Sequence, residues 1–340
     1  MKNAIKAARA TALIVAVGAP ALAEPDIKSQ TWRWGHFSSE LWGSSKADVR
    51  FAETLNEKTG GAIDVQFFWS GSMGSTSELL ELTRAKAVTV GSIGPAYYPG
   101  QLPLSGLLNG LPLTWYDAGE AMRIQAELIR TNPYIQNELE ENGIHPILSH
   151  GLPPYRLQCK SPVRKLEDLD GLRVRTFGEW LPVVFETLGA IPVNTAMTDI
   201  YESIHRGSLD CALLSVEAAS IFNVAEVAPY WSTINFGAFA GYSAFVAQDI
   251  WDSWPEDFQS LVQQTATETE TFEISQFAPL EDAAYETAKS MNVRVVEFEE
   301  QQALQDSVPD LLSEWQKQMC QRDLCDAAKS IVADVRRLME

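Results

Sequence analysis

A strand–helix–strand grammar that halts at Gly151-Leu152-Pro153-Pro154 and then begins again limits this chain more than any other feature. Proline fixes φ and pushes the residue before it towards extended backbone, so the tetrapeptide is rigid punctuation. Ahead of it, Thr31–His36 reads as a strand, followed by a helix with Val49 and Leu55 on its apolar face that stops at Gly60-Gly61. The β-branched and aromatic run Ile63–Trp69 reads as a second strand, Glu78–Arg84 as a helix and Val88-Thr89-Val90 as a short strand. Behind it, Tyr155–Cys159 and Leu172–Thr176 read as strands and Trp180–Leu188 as a helix. Ile191-Pro192-Val193 is extended, Met197–Arg206 helical and Leu209–Leu214 a buried strand. Repetition at these lengths implies crossover connections and mainly parallel sheets, which take ligands beyond the carboxyl ends of their strands.

The expected fold class is therefore α/β, with two lobes and a cleft between them. The length of 340 residues agrees, since single cores stop growing near ~250–300 residues. From Glu256 to about Ser290 there is no glycine and one proline, Pro279. This stretch is expected to be two helices broken near Pro279, or one long helix bent there and spanning both lobes. The expected boundaries are residues 24–153 with about 239–279 for the first lobe, and 154–238 with about 280–340 for the second.

Charge and hydropathy remove whole classes of function. With 26 basic against 45 acidic residues the net charge is −19, and no Lys/Arg cluster offsets a pI near 4.6, so nucleic acid is a disfavoured partner. No run beyond the N-terminus approaches the ~20 apolar residues of a spanning helix. The N-terminus itself reads as a signal peptide spanning residues 1–23. Lys2, Lys6 and Arg9 precede the apolar stretch Ala10–Ala19, Pro20 breaks it, and Ala21-Leu22-Ala23 is a small-x-small cleavage pattern. Cleavage after Ala23 removes three basic residues and no acidic ones, leaving 317 residues at −22 in the periplasm.

An oxidising compartment gives meaning to Cys159, Cys211, Cys320 and Cys325, which allow three pairings. Cys320 and Cys325, five apart, are close enough for a local staple, and Cys159 and Cys211 would join two expected strands. A zinc site competes, but neither pair has CxxC spacing and no histidine lies near either. Two disulfides are the favoured reading. Catalytic signatures are missing: no GxSxG elbow, HExxH pair, phosphate loop or EF-hand loop. Carboxylates at Glu138–Glu141 and Glu268–Glu273 read as solvated helix faces. No enzyme activity, cofactor or metal is expected. An exported α/β hydrolase, or a ligand sensor for a membrane kinase, are the alternative readings.

Function is expected to reside in Leu166–Leu214. Strand alternation puts Arg173 and Arg175 on one face and Val174 on the other. An arginine at a strand end in a cleft offers a planar fork of donors that grips a carboxylate. A structural salt bridge to one of the many acids is the plainer account of such a residue. Here the chain resembles the exported solute-binding proteins of tripartite ATP-independent periplasmic (TRAP) transporters, of the DctP type. The resemblance rests on four runs: Asp168-Leu169-Asp170-Gly171-Leu172-Arg173-Val174-Arg175, Leu188–Val193, Asp199-Ile200-Tyr201 and Arg206–Asp210. It extends to Phe51–Gly74, Pro95–Pro112 and Trp251–Gln259.

That resemblance implies a periplasmic-binding-protein-like fold that closes on a small organic acid and delivers it to TRAP permease membrane subunits, as a monomer. It implies that Arg175 binds the carboxylate, with Arg156 as a second arginine. His36 and Phe37 fall on the first-strand loop, and Ser92 to Tyr97 on the third. Gly178, Trp180 and Met197 are expected to approach the cleft. Where many members carry Asn or Gln, this chain has Leu213-Leu214-Ser215, so a polar contact is lost or passes to Ser215 or Glu217. The segment around Phe236 is unusually apolar. With Trp32, Trp34, Trp42, Trp69 and Trp180, it hints at a larger or more aromatic ligand than a simple dicarboxylate.

Overall fold

The computed structural model describes residues 27–291 and 293–340, so the expected cleavage after Ala23 lies outside the described residues. Eleven strands form two sheets. In the first, the order is β2 (Ile63–Phe68), β1 (Gln30–Gly35), β3 (Val90–Ile93), β10 (Phe239–Ala247), β4 (Ile144–Leu152). In the second, it is β11 (Arg294–Val296), β9 (Tyr230–Ser232), β5 (Arg156–Cys159), β8 (Cys211–Leu214), β6 (Arg173–Thr176), β7 (Ile191–Asn194). The fold is α/β and two-lobed, as expected, but each sheet is mixed. β10 runs antiparallel to both β3 and β4, and β5 runs antiparallel to both β8 and β9. β4 ends at Leu152 and β5 starts at Arg156, so a short link carries the chain from the first sheet to the second.

Packing explains why each lobe is stable. Trp32 and Trp34 alternate inward from β1 and are fully buried, with Trp32 stacked on Trp254 at 5.2 Å between ring centroids. Phe51, Ile63, Val90, Trp251 and Phe258 complete that first-lobe cluster. Burying such large side chains is worth about 1.5–3 kcal/mol each or more. These tryptophans are core, not cleft. A second cluster runs from Leu107 and Trp115 in the first lobe through Tyr155 and Phe239 to Val174, Phe185 and Leu213 in the second. Both disulfides are formed, Cys159–Cys211 and Cys320–Cys325, and the first joins directly paired residues of β5 and β8.

Glu256–Ser290 is one helix of 35 residues with Pro279 inside it. It packs on the helix Gly43–Lys58 and on β4 in the first lobe, and on the helix Val216–Ile221 in the second. Its acids are not all solvated: Glu270 and Glu273 are buried, as is Glu138, which accepts the backbone N–H groups of Leu104 and Ser105. Glu138 holds a loop, whereas Glu270 and Glu273 grip Ser149 and His150 of β4, contacts that a helical pattern alone conceals. β11 joins the second sheet, but the C-terminal helices return to the first lobe: Asn132 bonds Ser330 and Asp334, and Arg322 bonds the Pro99 carbonyl. Among the described residues no helix is long and apolar enough to cross a membrane.

Candidate functional site

Strand alternation delivers Arg173 and Arg175 to the same face of β6, and the structure gives them opposite fates. Arg173 is half-exposed and locked bidentately by Asp210, with Nε and Nη2 each donating at 2.8 Å. Arg175 is fully buried. Its Nε donates to the Thr195 carbonyl and its Nη1 to the Leu213 carbonyl, both at 3.1 Å, while Nη2 is buried without a partner. Among the described residues no carboxylate pairs with it. A guanidinium taken out of water without an anion is expensive, so an unpaired Nη2 points to a ligand that supplies the charge.

The surroundings of Arg175 come from both lobes. The Arg175 guanidinium lies 4.7 Å from the Phe177 ring centroid, a cation–π contact. Phe177 in turn meets Tyr97 (6.0 Å, stacked) from the loop after β3, Phe239 (5.8 Å) from β10 and Tyr155 (6.1 Å) from the crossing segment. Gly178, at φ +64°, brings the chain close to Ala96 of the first lobe, where a Cβ would lie 3.6 Å from the Ala96 methyl. Burial pushes the acidity of the Tyr155 phenol well out of reach, against the opposing pull of Arg175.

Glu217 crosses from lobe to lobe. The helix Gly43–Lys58 has no side-chain cap of its own, and the Gly43 N–H donates to Glu217 Oε1 at 2.8 Å. A carboxylate at a helix N-terminus meets unsatisfied N–H groups and a favourable dipole. Burial nevertheless pushes Glu217 up to about 7, opposed by Gly43, Lys46 and Trp42 and reinforced by Glu273.

Other expected contacts are placed differently. Arg156 pairs with Leu214 at the end of β8, and Arg175 stands on the other side of β8, where the neighbouring Val174 pairs with Cys211. Arg156 donates to the Thr233 carbonyl at 2.8 Å and lies 3.7 Å from Glu281 of the long helix. His36 is buried in a polar network: Nε2 lies 3.0 Å from Asp48 Oδ2 and 2.9 Å from Tyr242 Oη, and Nδ1 accepts the Ser38 N–H. Asp48 also holds His150, which reaches Glu273. Ser92 is a core residue that accepts from the Trp34 indole. Ser215 caps its own helix through Ala218 N–H, and Phe236 packs on Phe185 at 4.8 Å. Phe37, half-buried, meets Tyr242 and Trp42 edge-on. Trp180, half-buried, lines a small pocket with Pro95, Ala96 and Trp315, and Met197 packs on the main core. The structure thus brings Tyr97 to Arg175 and adds Tyr155, Phe177 and Phe239. Phe177 stands two residues beyond Arg175 and Tyr155 one before Arg156, but only the lobe crossing brings them together. Among the described residues no group of three or more His, Cys, Asp or Glu is placed to hold a metal ion.

Comparison with known families decides the lineage of this two-lobed frame. The model of the bacterial extracellular solute-binding protein, family 7 (DctP), matches residues 35–318. The chain belongs to this family. Similar proteins include an uncharacterised protein of Salmonella typhimurium, 28% identical over 53% of this chain and 55% of that one. The C4-dicarboxylate-binding periplasmic protein of Rhodobacter capsulatus is 24% identical over 76% of each chain. A TRAP periplasmic solute-binding protein of Chromohalobacter salexigens, solved with bound D-glucuronate, superposes with a TM-score of 0.79. It is 19% identical and is covered over 90% of this chain and 99% of its own. In this family 7 protein, Arg175 and its ring of aromatics occupy the junction of the lobes.

Proposed function

We propose that this family 7 protein captures a small organic acid between its lobes, with the carboxylate on Arg175, and delivers it to a TRAP-type membrane permease. It does so as a monomer in the periplasm, after cleavage behind Ala23. The observation that carries the reading is the buried guanidinium with one free nitrogen and no carboxylate partner among the described residues. The named partners of its relatives, C4-dicarboxylate and D-glucuronate, are both carboxylates, which supports the same chemistry here. Arg175 and Phe177 lie on the second lobe, and Phe177 meets Tyr97, from the turn after β3, and Phe239, from β10 of the first sheet. A ligand touching both lobes favours the closed arrangement and shifts the population towards it. Delivery then requires only that the permease read the closed shape, with no chemistry on the solute.

Hydrogen bonds to charged groups are worth ~1.5–3 kcal/mol, so Arg175→Ala should weaken acid binding at least roughly tenfold while melting cooperatively like the parent. Calorimetry against a panel of carboxylates checks this. Undiminished affinity in the variant overturns the assignment of Arg175.

A further inference from the structure

We propose that the acid taken by this site carries an apolar body in place of hydroxyl groups, and that the Tyr155 hydroxyl is the second donor to its carboxylate. This rests on the carboxylate-binding reading above and narrows it to a ligand class.

An inventory of polar groups around Arg175 carries the inference. Arg175 has one nitrogen to give, Nη2, because Nε and Nη1 are bonded to backbone carbonyls. The neighbouring polar side chains each hold at least one partner within the protein. Arg156 donates to Thr233, Glu217 accepts from Gly43, and Ser215 caps its helix. Asn109 uses its amide on the Ala240 and Gly241 carbonyls and its oxygen on Ala96 N–H. Thr195 bonds back to the Val193 carbonyl. Thr176 Oγ1 is also buried without a partner, but alternation along β6 turns it to the face opposite Arg175. What remains at the lobe junction is rings: Phe177, Tyr97, Phe239 and Tyr155.

Tyr97 and Tyr155 each carry a phenol hydroxyl that can donate, and Tyr155 is the more deeply buried of the two. Its side chain is buried, and the Arg175 charge acts on its oxygen. Among the described residues that hydroxyl has no hydrogen-bond partner, and Phe177 packs against both Tyr155 and the guanidinium. A carboxylate seated on Nη2 would place its second oxygen towards Tyr155 and its body among the rings. A sugar acid brings several hydroxyls to the same place, where aromatic faces leave them unpaired. An apolar pocket rejects even one added hydroxyl by about 10²-fold.

Calorimetry on the mature protein with phenylacetate, 4-methylpentanoate, succinate and D-glucuronate tests this. Phenylacetate or 4-methylpentanoate should bind at least about 100-fold more tightly than D-glucuronate. Tyr155→Phe should weaken the preferred acid about tenfold without lowering the melting temperature. D-glucuronate or succinate binding more tightly than both apolar acids overturns the ligand class. If their binding still falls in Arg175→Ala, the carboxylate reading stands. Equal affinity in Tyr155→Phe overturns the second-donor role. Binding of no acid at all overturns both the inference and the reading on which it rests.

Discussion

Glu217 makes closure of the lobes sensitive to acid. It belongs to the second lobe, its bonded partner Gly43 belongs to the first, and its carboxyl sits at about 7 while this contact between lobes is made, against an ordinary 4.5. Separating the lobes breaks the 2.8 Å contact and returns the group to water, where the ordinary value applies. The sign follows from linkage: the closed state binds the proton more tightly, so closure takes up protons and acid favours it. At pH 6 the closed form is then about nine-tenths protonated at this site and at pH 8 about one-tenth. The open form is nearly fully ionised at both. The closed-to-open ratio should be about tenfold larger at pH 6 than at pH 8, or ~1.4 kcal/mol. Since binding draws on the closed population, the apparent Kd moves by the same factor.

Two measurements check this for an acid ligand that is ionised throughout the range. Kd at pH 6 should be about tenfold lower than at pH 8, and near pH 7 binding should take up about half a proton, seen as a buffer-dependent enthalpy. Glu217→Gln keeps an oxygen for the Gly43 N–H but cannot titrate, so its affinity should be flat. Other buried groups nearby are shifted as well, and burial raises Glu273. Burial lowers His36, whereas Asp48 and Glu273 hold His150 up at about 10. Affinity independent of pH in the parent, or an undiminished slope in Glu217→Gln, refutes the coupling.

The remaining predictions concern stability. Asp48 is fully buried, pulled down to about 2 by His150 and His36, so Asp48→Ala removes one of the two carboxylates that hold the buried His150, along with the partner of His36 and Tyr242, and should cost about 3–5 kcal/mol in urea unfolding. Because His150 is raised to about 10, its contribution is complete below pH 6.5 and is lost as pH climbs through 10, so alkaline melting scans of the parent should fall across that range while those of His150→Gln fall less. The Cys159–Cys211 bridge closes a loop of 52 residues and the Cys320–Cys325 bridge one of 5. By loop entropy, their removal by paired Cys→Ala substitutions should cost about 4 and about 2 kcal/mol, and an equal loss would contradict that origin.

Local signals carried much of the fold. The expected strands at Thr31–His36, Ile63–Trp69 and Leu172–Thr176 correspond to β1, β2 and β6 within a residue or so at their ends. The last two strands of the first sheet, β10 and the edge strand β4, were illegible. β4 contains Pro146, His145 and His150, and β10 is buried along its whole length, so neither shows the alternation of a half-exposed strand. For the site, the position of Arg175 was legible as a strand-end arginine, but the distinction from Arg173 was not. That distinction depends on Asp210, whose approach to Arg173 is fixed by strand pairing between β6 and β8. His36 and Ser92 look like loop contacts in one dimension, and only packing shows them bonded to Asp48 and Trp34 inside the first lobe.

The charges that remain at the junction explain why an acid, and no neutral body of the same shape, should drive the lobes together. Closing an empty cleft desolvates two groups of the second lobe, the Arg175 guanidinium and the Glu217 carboxyl, which serve different neighbours. Arginine keeps its proton throughout the physiological range, so its charge can be offset only by an anion. Glutamate has a second route, since it can bind a proton, and its raised value shows burial favouring that route. The ligand carboxylate neutralises the first group and a proton the second, so the liganded closed state buries almost no net charge while the unliganded one buries a bare cation. That difference reaches several kcal/mol for an incompletely solvated ion, more than the tenfold acid effect at Glu217. The anion therefore acts as the principal switch, and pH sets only its threshold.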